Sequence, residues 1–159
     1  MVVRQAQKSK QDCDLIFKLS NDPLVRQASF ETKPIEYESH CKWFEKAVAD
    51  VNTLFFLIFE DKDLVGQIRF NRKFESSTEC VISLSITENF RGKRIARTFL
   101  KLGIEEMQKK WSQINAIIAE VKRENVPSNT LFERENFKLI SSINTYKLAI
   151  RQKNGRLNL

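Results

Sequence analysis

The sequence predicts one α/β domain of the α+β type, residues 1–159: a mixed, mostly antiparallel twisted sheet flanked by helices. Three observations carry that expectation. Helical periodicity dominates the first fifty residues. Three strand-like runs joined by short turns follow between Thr53 and Ile86, the pattern of an antiparallel meander. An amphipathic helix then separates the run Cys80–Ile86 from a second apolar run, Ala116–Val121, and a helical crossover joins parallel neighbours.

A chain of 159 residues can bury a real core. Hydrophobic residues at 42% and charged residues at 30% mark a soluble globular chain. Twelve Phe against four Gly and three Pro imply an aromatic core with few long loops. The net charge of +7 favours anionic partners, whether nucleotide-like cofactors, sugar nucleotides, nucleic acid or an anionic membrane surface. Cys13, Cys41 and Cys80 are far apart and His40 is the only histidine. That argues against a metal site or a disulfide framework and for a reducing cytoplasm. Met1–Lys10 is basic with no apolar stretch after it, unlike a secretory signal. The longest apolar run, Leu54–Phe59, is too short to span a bilayer.

Residues 1–11 read as an edge strand or a loose start. Asp12 or Asp14 is placed to cap a first helix through Leu15, Ile16, Phe17 and Leu19. Ser20-Asn21-Asp22-Pro23 stops that helix, and Pro23 opens a short second one to Ala28. Ser29–Ile35, with Pro34, is a loop. In a third helix, Tyr37–Ala49, the residues His40, Trp43, Phe44 and Ala47 share one face. Core packing is the ordinary role for such a face. The alternative is that His40, Tyr37 and the loop at Phe30 wall a substrate site.

Thr53–Glu60 is a buried strand, Asp61-Lys62-Asp63 a hairpin turn, and Leu64–Asn71 the next strand, where Gly66 signals a bulge or a close approach. Phe74–Thr78 turns into the central strand. After the helix from Ile95 to Lys110, Ala116–Val121 is a strand parallel to the central one. Asn125-Val126-Pro127-Ser128 opens a helix to Arg134, Asn136-Phe137 is a turn, and Tyr146–Ile150 is a last strand before a loose basic tail at 151–159.

Between the central strand and its helix lies a short cationic turn, with Arg91, Lys93, Arg94 and Arg97 around Gly92. Positive charge at a helix start opposes the macrodipole, and a bound anion resolves the conflict. The turn matches neither Gly-x-x-x-x-Gly-Lys-Ser/Thr nor Gly-x-Gly-x-x-Gly.

This order of elements resembles the GNAT acetyltransferase superfamily. The window Arg91-Gly92-Lys93-Arg94-Ile95-Ala96 is similar to its diphosphate-binding pattern Gln/Arg-x-x-Gly-x-Gly/Ala, with Arg94 where Gly is usual. Ala119-Glu120-Val121 with Asn125, Ser128, Leu131, Phe132 and Asn136-Phe137 resembles its second motif, with Phe132 where Tyr is common and Asn136 where Gly is common. Asn21–Arg26, Phe30, Tyr37-Glu38-Ser39-His40, Trp43-Phe44, Val65–Phe70 and Ser83–Ile86 look like amino-sugar N-acetyltransferases of nonulosonic-acid (pseudaminic-type) pathways.

The resemblance implies a V-shaped splay between the two central parallel strands. It implies acetyl-CoA as donor and a primary amine as acceptor, with a UDP-linked amino sugar for surface glycans as first candidate. The backbone of Arg91–Ala96 would cradle the diphosphate. Leu84, Ser85 and Ile86 would face the pantetheine arm, and the Leu84 amide would polarise the thioester carbonyl. Asn125, Ser128 and Phe132 would complete the CoA side. Expected acceptor residues are Phe30, Glu31, Tyr37, His40, Arg69 and Asn71. Glu79, His40 and Glu31 are the candidate bases. Phe132 cannot donate a proton to the leaving thiolate. No metal, nucleic acid or membrane span is expected, and the chain is expected to be a cytoplasmic monomer or homodimer. Two alternatives stand: acetylation of a protein or ribosomal protein, and a non-catalytic CoA- or nucleic-acid-binding domain.

Overall fold

The computed structural model describes residues 1–141 and 145–150, and the basic tail expected at 151–159 lies outside them. Among the described residues seven strands and five helices follow in the order β1 (Val2–Gln5), α1 (Lys10–Ser20), α2 (Pro23–Ala28), α3 (Tyr37–Ala49), β2 (Thr53–Glu60), β3 (Asp63–Asn71), β4 (Glu79–Ile86), a 3₁₀ turn (Glu88–Phe90), α4 (Ala96–Lys110), β5 (Ala116–Glu120), α5 (Val126–Arg134), β6 (Lys138–Ser141) and β7 (Thr145–Ala149). One sheet takes the order β1-β2-β3-β4-β5-β7-β6. Every neighbouring pair is antiparallel except β4 and β5.

One expectation about local structure is corrected, and one strand is added. Ser9, not Asp12 or Asp14, caps α1 by accepting from the Asp12 amide. Asp12 instead turns inward: its two oxygens take Arg4 Nη1 and Nη2 at 2.7 Å each, and the Gln7 amide at 2.8 Å. The turn expected at Asn136-Phe137 is present and leads into an edge strand not expected from the sequence, β6, paired with β7 through Lys138↔Lys147 and Leu139↔Tyr146.

The two faces of the sheet are covered differently. Phe56, Ile68, Phe70, Cys80 and Ile82 form one core with Phe99, Leu100 and Met107 of α4. Burying each of those large side chains contributes about 1.5–3 kcal/mol. Gly103 lets α4 press onto β3, because a Cβ there would lie 2.4 Å from Ile68 Cδ1. Phe55 and Leu57 face the other way, onto Cys13, Ile16 and Phe44 of α1 and α3. At Gly66 the strands β3 and β4 come too close for a side chain, since a Cβ would meet the Ser85 carbonyl oxygen at 2.2 Å. The bulge that Gly66 signalled lies beside it, where the β2–β3 register shifts between Ile58 and Phe59.

Candidate active site

The parallel pairing of β4 and β5 runs from Glu79↔Ala116 to Ile82↔Ala119 and stops there. β4 continues through Ser83, Leu84, Ser85 and Ile86, still paired with β3 but no longer with β5. The result is a wedge with an unpaired backbone edge of β4 along one side. An amide-containing chain can add to such an edge as an extra strand.

The basic turn closes the mouth of the wedge. Gly92 (φ 73°) and Arg94 (φ 59°) both adopt left-handed backbone, with Lys93 between them. Alternation of this kind turns successive amides inward into an anion-binding nest. Among the described residues, the amides of Gly92, Lys93, Arg94 and Ile95 have no backbone partner. The N-terminal end of α4 follows at once and adds its dipole. Arg94 thus keeps the conformation that Gly adopts without cost. Arg91 plays a different part. Its amide donates to Glu88 O, its Nε to Ile86 O at 2.9 Å, and its Nη2 pairs with Asp22 at 2.9 Å. Its side chain therefore anchors the turn to β4 and to the start of α2, and it occupies the Ile86 carbonyl.

Asn125 caps α5, its Oδ1 accepting from the Ser128 amide at 3.2 Å, which is the helix-start role for both residues. Phe132 is buried, with its ring 4.8 Å from Phe137 and 6.2 Å from Tyr146 between centroids. The Tyr146 hydroxyl reaches Asn129 Oδ1 and Glu133 Oε1 and so joins β7 to α5. Asn136, at φ 67°, ends α5 in a Schellman motif, with Phe137 N bonded to Phe132 O and Asn136 N to Glu133 O.

On the face shared with α1 and α3, strand alternation and register line up Asn71 with Val81, Arg69 with Ser83 and Gln67 with Ser85. Ser83 is exposed there, so this part of β4 is open to an acceptor. Arg69 leans against Trp43 and Phe55, its guanidinium 4.9 Å and 5.7 Å from their ring centroids, and its Nε donates to Asn71 Oδ1. Burial pushes its pKa down. Arg69 and Asn71 line a pocket of about 360 Å³ with Trp43, Lys46, Asp50 and Thr53. Asp50 is engaged by Thr53 Oγ1 and the Asn52 amide, and Arg69 has no carboxylate partner among the described residues. Across the wedge, α2 and its loop are tied down by Lys122 Nζ to Gln27 O and by Arg26 to the Glu31 and Lys33 carbonyls. Phe30 and Glu31 are exposed on that loop.

Three expected site residues lie elsewhere. His40 is buried between α1 and α3, where its Nε2 meets Cys13 O at 3.0 Å and its ring contacts Phe17, Trp43 and Phe44. Burial lowers its pKa, and enclosed by those three rings with Nε2 engaged it packs the α1–α3 contact. Tyr37 donates to Asp14 Oδ1 at 2.6 Å and belongs to the same helix contact. Glu79 begins β4, five residues or roughly 17 Å along the strand from Leu84, and is paired with Lys147. It is too distant to take a proton from an amine at Leu84.

Glu120 stands in the second motif, but the sequence assigns it no part in the chemistry. It ends β5 one step beyond Ile82↔Ala119, level with Ser83 across the wedge. Alternation puts it on the face of Ile118, Val81 and Ser83, and it is exposed. Its signal was a single carboxylate at the end of an otherwise apolar run, just where a splayed strand stops pairing.

Free amides at a basic turn, beside an unpaired strand edge with an open face behind it, suit an acetyl-CoA-dependent N-acetyltransferase, and the comparisons show that class. The chain belongs to the family of the acetyltransferase (GNAT) domain, whose model matches residues 1–138. It is 27% identical over 131 residues to acetyltransferase PseH of Campylobacter jejuni subsp. jejuni serotype O:23/36 (strain 81-176), covering 81% of this chain and 78% of that one. The crystal structure of Campylobacter jejuni N-acetyltransferase PseH superposes with a TM-score of 0.70 at 21% identity, over 95% of this chain and 97% of that one. Spermidine N-acetyltransferase from Vibrio cholerae, in complex with CoA and spermine, superposes with a TM-score of 0.79 at 20% identity, over 95% of each chain. Among the described residues no helix is long and apolar enough to cross a membrane, and no cluster of metal-ligating side chains occurs.

Proposed function

We propose that this enzyme acetylates the primary amine of an anionic small molecule, a nucleotide-linked amino sugar. The observation that carries the choice is Arg69: a half-buried guanidinium without a carboxylate partner among the described residues, stacked on Trp43 and one strand from Ser83. A phosphate-bearing acceptor offsets that half-buried charge through charge-assisted hydrogen bonds, and Trp43 offers a surface for a flat ring. A polycation such as spermidine meets repulsion at the same place. Similarity to PseH and the net charge of +7 support the same reading.

Acetyl-CoA supplies the thioester carbon that the amine attacks. The turn at Gly92–Ile95 suits its diphosphate, because its amides have no backbone partner among the described residues and positive φ alternates along it. The free edge of β4 suits the pantetheine amides, and the Leu84 backbone is the oxyanion-stabilising group. Glu120 accepts the ammonium proton, directly or through one water, and leaves a neutral amine facing Ser83 and Leu84. Neither Phe132 nor the engaged Tyr146 hydroxyl supplies a proton to the leaving thiolate, so solvent does.

The test is thiol release from acetyl-CoA with three acceptors: a UDP-linked 4-amino sugar, spermidine and a peptide with a free N-terminal Ala. Turnover is expected with the sugar nucleotide. Arg69→Ala is expected to raise its KM at least tenfold while CoA affinity stays unchanged. Preference for spermidine or the peptide rejects the acceptor assignment. Absence of any calorimetric heat with CoA rejects the donor site itself.

A further inference from the structure

We propose that Cys13 and Cys41 form a thiol–disulfide modification site that ties α1 to α3. Their sulfurs lie 3.2 Å apart. A disulfide bond spans about 2.05 Å, so closure needs roughly 1.2 Å of approach. The crossing that brings them together is fixed by flanking contacts. Tyr37, one turn before Cys41, donates to Asp14, the neighbour of Cys13, and His40 Nε2 meets the Cys13 carbonyl. The Phe17 ring packs edge-on against Tyr37 at 5.1 Å.

The two thiols differ in access. Cys41 is half-buried, whereas Cys13 is buried and its thiol is pushed up to about 12, chiefly by desolvation and then by Cys41. Cys41 therefore reacts first. Its thiolate attacks one sulfur of a low-molecular-weight disulfide, whose S–S bond breaks and releases one small thiolate. Cys13 then loses its proton to solvent and attacks the Cys41 sulfur, expelling the second small thiol. Two protein thiols are oxidised and one small disulfide is reduced to two thiols. Cys80 is buried in the opposite core, against α4, and stays reduced. The bridge encloses residues 13–41, which include α2 and the loop of Phe30 and Glu31. Oxidation fastens the base of the segment beside the acceptor face. None of this depends on which acceptor the enzyme uses.

The experiment treats the purified full chain with oxidised glutathione, followed by intact mass, a non-reducing peptide map and thermal melts. Expected are a loss of two hydrogens, a Cys13–Cys41 crosslinked peptide and a melting temperature higher by roughly 5–10 °C, reversed by dithiothreitol. Cys13→Ser should stop at a glutathione adduct on Cys41, Cys41→Ser should show neither product, and Cys80→Ser should behave like the parent. A persistent glutathione adduct on Cys41 of the parent chain overturns the proposal. So does a link to Cys80, or unreacted thiols at an oxidant level that oxidises a dithiol peptide control.

Discussion

Arg94 offers a test in which two substitutions separate backbone from charge. At φ 59° its backbone is left-handed, a conformation that costs an L-residue about 1–2 kcal/mol and glycine almost nothing. Glycine gives back part of that gain, about 0.5–1 kcal/mol, through the larger entropy of its unfolded chain. Arg94→Gly should therefore be more stable than Arg94→Ala by about 1 kcal/mol, or roughly 2–4 °C in melting temperature for a chain of this size. Both variants lose the same exposed cation, so CoA affinity should fall about two- to fivefold in each, and less as salt rises. Paired thermal melts measure the first effect and calorimetric titration with CoA the second. In right-handed or extended backbone the order reverses, because Ala then exceeds Gly by about 0.5–1 kcal/mol. An Arg94→Ala variant as stable as Arg94→Gly would refute a left-handed Arg94, and with it the nest.

Three further outcomes follow from other sites. Glu120→Gln should lower kcat about 10²- to 10⁴-fold with CoA affinity unchanged, while Glu79→Gln leaves kcat within about twofold; equal effects in steady-state assays would remove Glu120 as the base. Gly66→Ala forces a Cβ against the Ser85 carbonyl, which is backbone and cannot rotate away, so it should destabilise by about 3 kcal/mol or more in urea unfolding. Burial alone would raise the Asp12 pKa, but the Arg4 bonds and the Gln7 amide bring it below the ordinary carboxylate value of 3.8. Because the folded value is the lower one, that stabilisation is present above the unfolded pKa and lost as pH falls through the folded one. Asp12→Asn should thus be less stable than the parent at pH 7, with the gap in urea midpoint closing between about pH 5 and pH 2.

Elements with their own periodicity or punctuation could be read in advance. α3 and β2 begin and end at the expected residues, because a shared apolar face and an unbroken apolar run are local signals. β6 was not readable: Lys138-Leu139-Ile140-Ser141 is short and mostly exposed, and β7 alone makes it a strand. Asp12 looked like a cap because Asp often is one, but Arg4 reaches it from β1, a contact that needs the folded sheet edge. The stripe of His40, Trp43 and Phe44 was visible as a stripe, while its partners were not. α1 takes His40, and Trp43 remains at the surface to hold Arg69.

Site residues followed a different logic, because the backbone builds much of this site. The two positions where glycine is usual hold Arg94 and Asn136, and both keep positive φ. The surrounding chain imposes those angles. At Asn136 the Schellman bonds to Phe132 O and Glu133 O need the reversal. At Arg94 the turn must rise from an end pinned by Arg91 to Ile86 O and Asp22 and still enter α4 two residues later. Asparagine tolerates such an angle better than arginine, so the strain is concentrated at Arg94. An amide nest holds an anion whatever side chains its residues carry, provided those side chains turn outward, and the Arg94 side chain is exposed. A missing motif glycine therefore costs this chain conformational energy without removing the cradle. Acid–base chemistry has no such latitude: Phe132 cannot do what a tyrosine hydroxyl does, and under the proposed mechanism proton transfer passes to Glu120 and solvent.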